Sequence, residues 1–335
     1  MRASGQRRAR WASGPENRTA SPMRVAVMNR MRFMNERLSR FAHAAPVAGA
    51  PDALSKPGAQ AKYAPMSTPF LTALPARAVI ALTGPEARSF LQRVITRGPE
   101  GIAPDSAMFS ALLTPQGKVL ADFLVFDDGG DGLLFDVPAS EAESLVKRFT
   151  LYRLRAKADI VLREDLSAAA ALGEGEAELK TVALASAPDP RSDRMGLRAI
   201  VPAGGPVEAA PYHAARIAAI IPEFGEDYAA SEVFSTDVNH DLLNGIDYRK
   251  GCFVGQEVAS RMHRKGGVRK RTVRLDFDGD APARGTQVMT GETPLGAITS
   301  VSARQALAIL RIDRLEAAGG GPVTADGLSA RVTLP

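Results

Sequence analysis

The chain contains a single cysteine, and its neighbours set it apart. Cys252 lies between Gly251 and Phe253, directly after Arg249 and Lys250, with Gly255, Gln256 and Glu257 following and Arg261 four residues further on. A thiolate is both nucleophile and metal ligand, and cationic neighbours favour it over the thiol. Glycines on either side let the backbone adopt conformations closed to other residues, or approach a ligand closely. A lone cysteine is often only a small buried hydrophobe, but the flanking Lys-Gly and Gly-Gln-Glu argue against an inert role. One thiol excludes an internal disulfide framework and any zinc site built from Cys-x-x-Cys pairs. His240 and His263 are each chemically able to bind a metal, yet with one cysteine they specify no complete site.

A basic run follows the cysteine segment: Arg261, Arg264, Lys265, Arg269, Lys270, Arg271 and Arg274. It suits an anion, a polyglutamate tail or RNA phosphate, or equally a solvated face at a domain junction. The charge distribution bears on this choice. Residues 1–65 hold 12 Lys and Arg against three acids, Glu16, Glu36 and Asp52, whereas the remaining 270 hold 30 bases and 34 acids. The pI of about 9.5 therefore belongs to the leader and not to the body. A globally basic nucleic-acid-binding surface is not supported, so direct nucleic-acid contact is not expected.

The elements that position these residues follow from pattern. The 335 residues are 45% hydrophobic and 24% charged, as in ordinary soluble domains. No stretch approaches the ~20 uninterrupted apolar residues of a membrane helix, and no membrane partner is expected. Residues 1–65 read as a disordered basic leader and linker with one amphipathic helical stretch over 23–43. They are either an organelle transit sequence or the product of a start upstream of Met66. A strand at 77–82 leads into a Thr83/Glu86 capping box and a helix to about Ile95. Strands at 107–113 and 118–126 flank a Thr-Pro-Gln-Gly turn. A strand at 133–137, a Ser140/Glu143 capping box with a helix to Tyr152, and a strand at 158–163 complete the first unit. Short strands are expected near 180–185 and 197–201, a helix over 209–221, and a helix from Gln256 to about Arg264. From 272 onward, alternation and recurring Gly/Pro turns indicate a small all-β domain. The organisation is an α+β body over 66–271, in subdomains of about 66–165 and 166–271, followed by 272–335.

The run Lys-Gly-Cys-Phe-Val-Gly-Gln-Glu over 250–257, followed by Arg261, resembles the signature of the YgfZ-type folate-binding iron–sulfur cluster assembly and repair proteins, relatives of the glycine-cleavage T-protein. Flanking segments extend the resemblance over about 68–315: Leu113 to Lys118, Tyr152 to Arg155, Arg216 with Pro222-Glu223, and Leu307 to Arg311. It implies a T-protein-like body with mostly antiparallel sheets and a small C-terminal β-barrel around a folate-sized channel. It also implies an accessory factor, not necessarily an enzyme, for late assembly or repair of [4Fe–4S] enzymes, tRNA-modifying ones included. Cys252 becomes the functional residue and metal ligand, with Lys250, Gly251, Gly255, Gln256, Glu257 and Arg261 shaping its loop. One thiolate cannot supply the four protein ligands a cluster normally takes, so a cluster is shared transiently with a partner, an A-type iron–sulfur carrier or a client enzyme. Tetrahydrofolate is the implied organic cofactor, with Tyr212 offering stacking, Arg216 a charge for the glutamyl tail, and Asp122 the remaining acid. The alternative is a tetrahydrofolate-dependent one-carbon or aminomethyl transferase. Against it, the acidic pair of the T-protein is reduced to Asp122, and Ala218 stands where that family carries a pterin-binding glutamate. A free thiol without a recognisable secretory signal indicates a reducing compartment. Cytoplasm is the default, and the mitochondrial matrix the alternative if residues 1–65 are a transit sequence.

Overall fold

The computed structural model describes residues 68–335 except 104–105, 131 and 265–266. The leader, its helical stretch over 23–43 and Lys265 lie outside the described residues. Two antiparallel sheets form the body. The five-stranded sheet has the order β3(Ala107–Leu113)–β4(Val119–Asp127)–β5(Leu133–Pro138)–β2(Arg77–Thr83)–β6(Asp159–Leu162). Helices α1(Ala87–Gln92) and α2(Ala142–Arg153) cover one face, burying Phe90, Leu91, Leu145 and Phe149 against Ile80, Phe123 and Phe135.

The second sheet has the order β1(Phe70–Ala73)–β7(Leu166–Leu172)–β9(Leu197–Pro202)–β8(Ala185–Pro188). Its first strand precedes the whole five-stranded sheet in sequence, so the described residues enter the fold through the second sheet and return to it after residue 165. Val79, Ala81, Leu124 and Phe126 of one sheet meet Leu166, Ala187 and Ile200 of the other. Helices α3(Gly175–Val182) and α4(Ala209–Ala218) flank the smaller sheet, and a long irregular segment leads to α5(Gln256–Arg264).

The C-terminal strands β10(Lys270–Phe277), β11(Gln287–Thr290), β12(Thr293–Ser302), β13(Gln305–Arg311), β14(Val323–Ala325) and β15(Leu328–Thr333) close a barrel in the order β10-β13-β12-β11-β14-β15, with a short helix α6(Ile312–Ala317) after β13. Closure leaves no free edge. The antiparallel α+β body with a terminal β-barrel is thus the observed architecture.

Several local expectations need correction. Neither capping box forms, because neither Ser nor Thr side chain caps its helix. Glu86 instead accepts the backbone N–H of Lys157 at 2.7 Å, tying α1 to the lead-in of β6. α1 ends at Gln92, and α4 ends at Ala218, not residue 221. Residues 180–182 close a helix, and the strand begins at Ala185. The alanine-rich β7 was not apparent from the sequence, since alanine favours helices by propensity. Here small side chains let α3 lie close to the sheet: a Cβ added at Gly175 would stand 2.9 Å from the Phe70 carbonyl.

Candidate functional site: an exposed thiol on an anchored loop

The cysteine loop is held at four points. Phe253 is buried among Ala111, Leu113, Val119, Phe224, Tyr228 and Val238. Gly255, at φ +81°, lies so close to the turn at Thr114 that a Cβ would sit 2.6 Å from its carbonyl oxygen. Lys250 donates its ammonium to the carbonyl of Gln92 at the end of α1 and sits 5.1 Å over the Phe253 ring. Gln256 donates its backbone N–H to the Phe253 carbonyl at 3.2 Å, starting α5. Gly251, at φ +89°, faces open space, so only its backbone conformation asks for glycine. The result is an exposed Cys252 thiol on a fixed backbone.

The charges around the thiol are unequal in their freedom. Half-burial lowers the Lys250 amine to about 8, against the opposing pull of Asp247, Glu100 and Cys252. Glu257 and Arg261 are exposed on α5, and neither makes an ion pair among the described residues. No group of three or more His, Cys, Asp or Glu side chains suited to a metal ion occurs among the described residues. His263 stacks on Tyr248 at 4.1 Å, and His240 is buried. The basic run also divides. Arg271 is taken up by Asp241 at 2.6 and 2.8 Å, and Arg274 by Asp276 and the Ala218 carbonyl. Arg261, Arg264, Arg269 and Lys270 are exposed.

The three side chains assigned to folate are in the interior. Tyr212 is 3% exposed, packs edge-on against Phe70, accepts from Arg198 at 2.8 Å and donates to Glu223 at 3.1 Å. Arg216 uses all three guanidinium nitrogens within the protein: on His213, on Asp227 at 2.6 Å, and on Ser300 of β12 at 2.8 Å. Asp122 accepts from Tyr228 and from Arg77 at 3.3 Å. None of the three offers a free ring face, charge or carboxylate to a ligand, and Ala218 supplies no acid. The residues present do not fit the expected folate contacts, and a transferase acid at Asp122 is already committed to its neighbours.

These side chains belong to a buried polar network that the sequence did not reveal. Asp136, inaccessible to solvent, accepts from Arg77 and Arg198 at 2.6 Å each, and Arg191 pairs with Asp189 at 2.7 Å. Burial would raise the Asp136 carboxyl, but the two guanidiniums outweigh it and hold it below the ordinary carboxylate range. Beside them, Tyr228 bridges Asp122 and His240 Nε2, the latter at 3.2 Å. Burial pushes His240 down to about 4 despite Asp122, so it is neutral at pH 7.

The chain is similar to known proteins in sequence and in fold. The family model described as the CAF17 C-terminal beta-barrel domain matches residues 269–335. An iron–sulfur cluster assembly factor IBA57 homolog, mitochondrial, from Neurospora crassa is 32% identical over 241 residues; the match covers 63% of this chain and 55% of that protein. The mitochondrial IBA57 factors of Mus musculus and Homo sapiens are each 29% identical, with 69% and 67% of this chain and 70% of each relative covered. Among solved structures, the glycine cleavage system aminomethyltransferase T from Bartonella henselae superimposes with a TM-score of 0.63 at 16% identity, covering 79% of this chain and 84% of that one. The chain thus has a T-protein-like fold with a CAF17-type terminal barrel, and its sequence is similar to that of iron–sulfur cluster assembly factors.

Proposed function

We propose that this protein is an accessory factor for iron–sulfur cluster assembly or repair in which Cys252 supplies one thiolate to a cluster held jointly with a partner. The observation that carries the reading is the exposed thiol on an anchored loop, in a chain similar to assembly factors. A single ligand suits handover: one thiolate holds a cluster too weakly to keep it, and a partner must provide the rest. The cluster is cargo, and an A-type carrier or a client [4Fe–4S] enzyme is the partner class. The relatives named above are mitochondrial, which favours the transit-sequence alternative for residues 1–65 over a cytoplasmic location. With the expected folate contacts sequestered, no folate step enters the proposal.

The test is visible circular dichroism of the full chain mixed anaerobically with an A-type carrier loaded with a [2Fe–2S] cluster. A mixed complex with a changed cluster spectrum, lost in Cys252→Ala, is the expected result. An unchanged spectrum, or a change that survives in the variant, overturns the ligand role.

A further inference from the structure

A cleft of about 1190 Å³ lies between body and barrel. Among the described residues six cations line it: Lys118, Arg261, Arg269, Lys270, Arg311 and Arg314. Three acids stand on its walls among the described residues, and only Asp227 is paired with a cation. Asp227 holds Arg216 and Thr299, Glu232 accepts the Ala229 N–H, and Asp237 accepts the Phe234 N–H. Of the cations, Arg311 is matched by Asp313. Lys118 and Arg314 rest on the carbonyls of Glu232 and Pro294 and form no ion pair among the described residues, although Asp237 acts on Lys118 at longer range. Arg261, Arg269 and Lys270 make no ion pair among the described residues, with Asp313 and Asp237 acting on Arg269 and Lys270 only at longer range. A local excess of positive charge therefore stands on a body whose overall balance is acidic.

The cleft's floor indicates what kind of anion it takes. Val233, Val258, Leu295 and Ile309 give it aliphatic surface. Phe234, the one aromatic residue lining it among the described residues, has the Lys118 ammonium over one ring face at 4.1 Å. Cations over a largely aliphatic floor, with a single aromatic ring that already holds an ammonium on one face, match an acidic peptide with interspersed apolar side chains better than a run of stacked bases. Arg261 lies on α5, about 8 Å along the axis from the end nearest the cysteine loop. We infer that this cleft binds an acidic, apolar-punctuated segment of a partner protein and thereby holds that partner beside Cys252. The inference names the docking surface of the assembly role proposed above and rests on it for the partner's purpose, but its binding test does not.

Fluorescence anisotropy with the full chain tests it, using a fluorescein-labelled peptide of alternating glutamate and leucine, its alternating lysine and leucine counterpart, and an oligothymidylate of similar length. The glutamate peptide should bind, weaken with added salt, and lose roughly tenfold or more in affinity in R269E/K270E and again in R261E. Arg261, Arg269 and Lys270 are exposed, and far-ultraviolet circular dichroism checks that the variants fold. Equal affinity in wild type and charge-reversed variants, or a preference for the lysine peptide or the oligothymidylate, overturns the proposal. C252A should leave peptide binding unchanged. Peptide binding without a Cys252-dependent cluster spectrum would then sink the ligand role and leave the cleft, while the reverse would sink only the cleft.

Discussion

Gly255 and Thr114 meet backbone to backbone: a methyl group on the glycine would stand 2.6 Å from the threonine carbonyl oxygen. This contact sets the cysteine loop on the turn between β3 and β4. Gly255→Ala meets both an unfavourable φ and a clash with main chain, and should cost about 2–4 kcal/mol. Gly251→Ala meets only the φ penalty, about 1–2 kcal/mol. Urea denaturation of the two variants should reproduce that order; equal losses would mean the contact is not the constraint.

The carboxylate of Asp136 is shared between two buried guanidiniums, so removing its charge leaves Arg198 without a counter-ion and Arg77 with only Asp122 at 3.3 Å. Asp136→Asn should destabilise by about 3–5 kcal/mol. A loss below about 1 kcal/mol in equilibrium unfolding would show that water or rearrangement satisfies Arg77 and Arg198.

His240 gives stability a pH dependence of definite sign. Its folded pKa of about 4 lies below the value of about 6.5 in the unfolded chain, so the unfolded state binds the proton first as pH falls. The contribution is complete above about 6.5 and declines toward pH 4, by about 3 kcal/mol in all. Asp122, Asp241 and Arg191 act on the same imidazole, so His240→Gln is the needed control. Its unfolding free energy should be flatter between pH 6.5 and 4 than that of wild type. Parallel profiles would refute the assignment.

Lys250 should be the most readily acylated lysine of the body near pH 8. An amine at about 8 is half neutral there, whereas ordinary lysines near 10.4 are less than about 1% neutral. Limited labelling with an amine-reactive ester, followed by peptide mapping, should find Lys250 modified ahead of exposed Lys147 and Lys157. Slower labelling would indicate that the bond to the Gln92 carbonyl shields it.

The cysteine loop was legible because its chemistry is local: the thiol, two glycines and the start of α5 lie within six residues. The strands around the Thr-Pro-Gln-Gly turn were legible for the same reason. The buried network was not, because its partners come from distant strands: Arg77 and Asp136 are 59 residues apart, Asp136 and Arg198 62. A charged residue within a strand reads as a solvent-facing position until the second sheet covers it. The same remoteness made Tyr212 and Arg216 look available for a ligand. β7 was hidden for another reason: its alanines have a helical propensity that strand pairing on both sides overrides.

Arg216 reaches from α4 to Ser300, Thr299 caps the same Asp227, and Asn239 donates to the backbone of Thr272, so buried polar bonds cross from body to barrel at several points. The two parts are therefore bound to a common inheritance. A barrel exchanged from a distant homologue would leave Arg216 charged and short of a partner in the interior unless the hydroxyl pair at 299–300 came with it. A nonsense mutation near residue 269 would not merely trim an appendage: it would uncover Ile217 and Ile220, which pack on Leu307, and take Ser300 from Arg216 and Thr299 from Asp227.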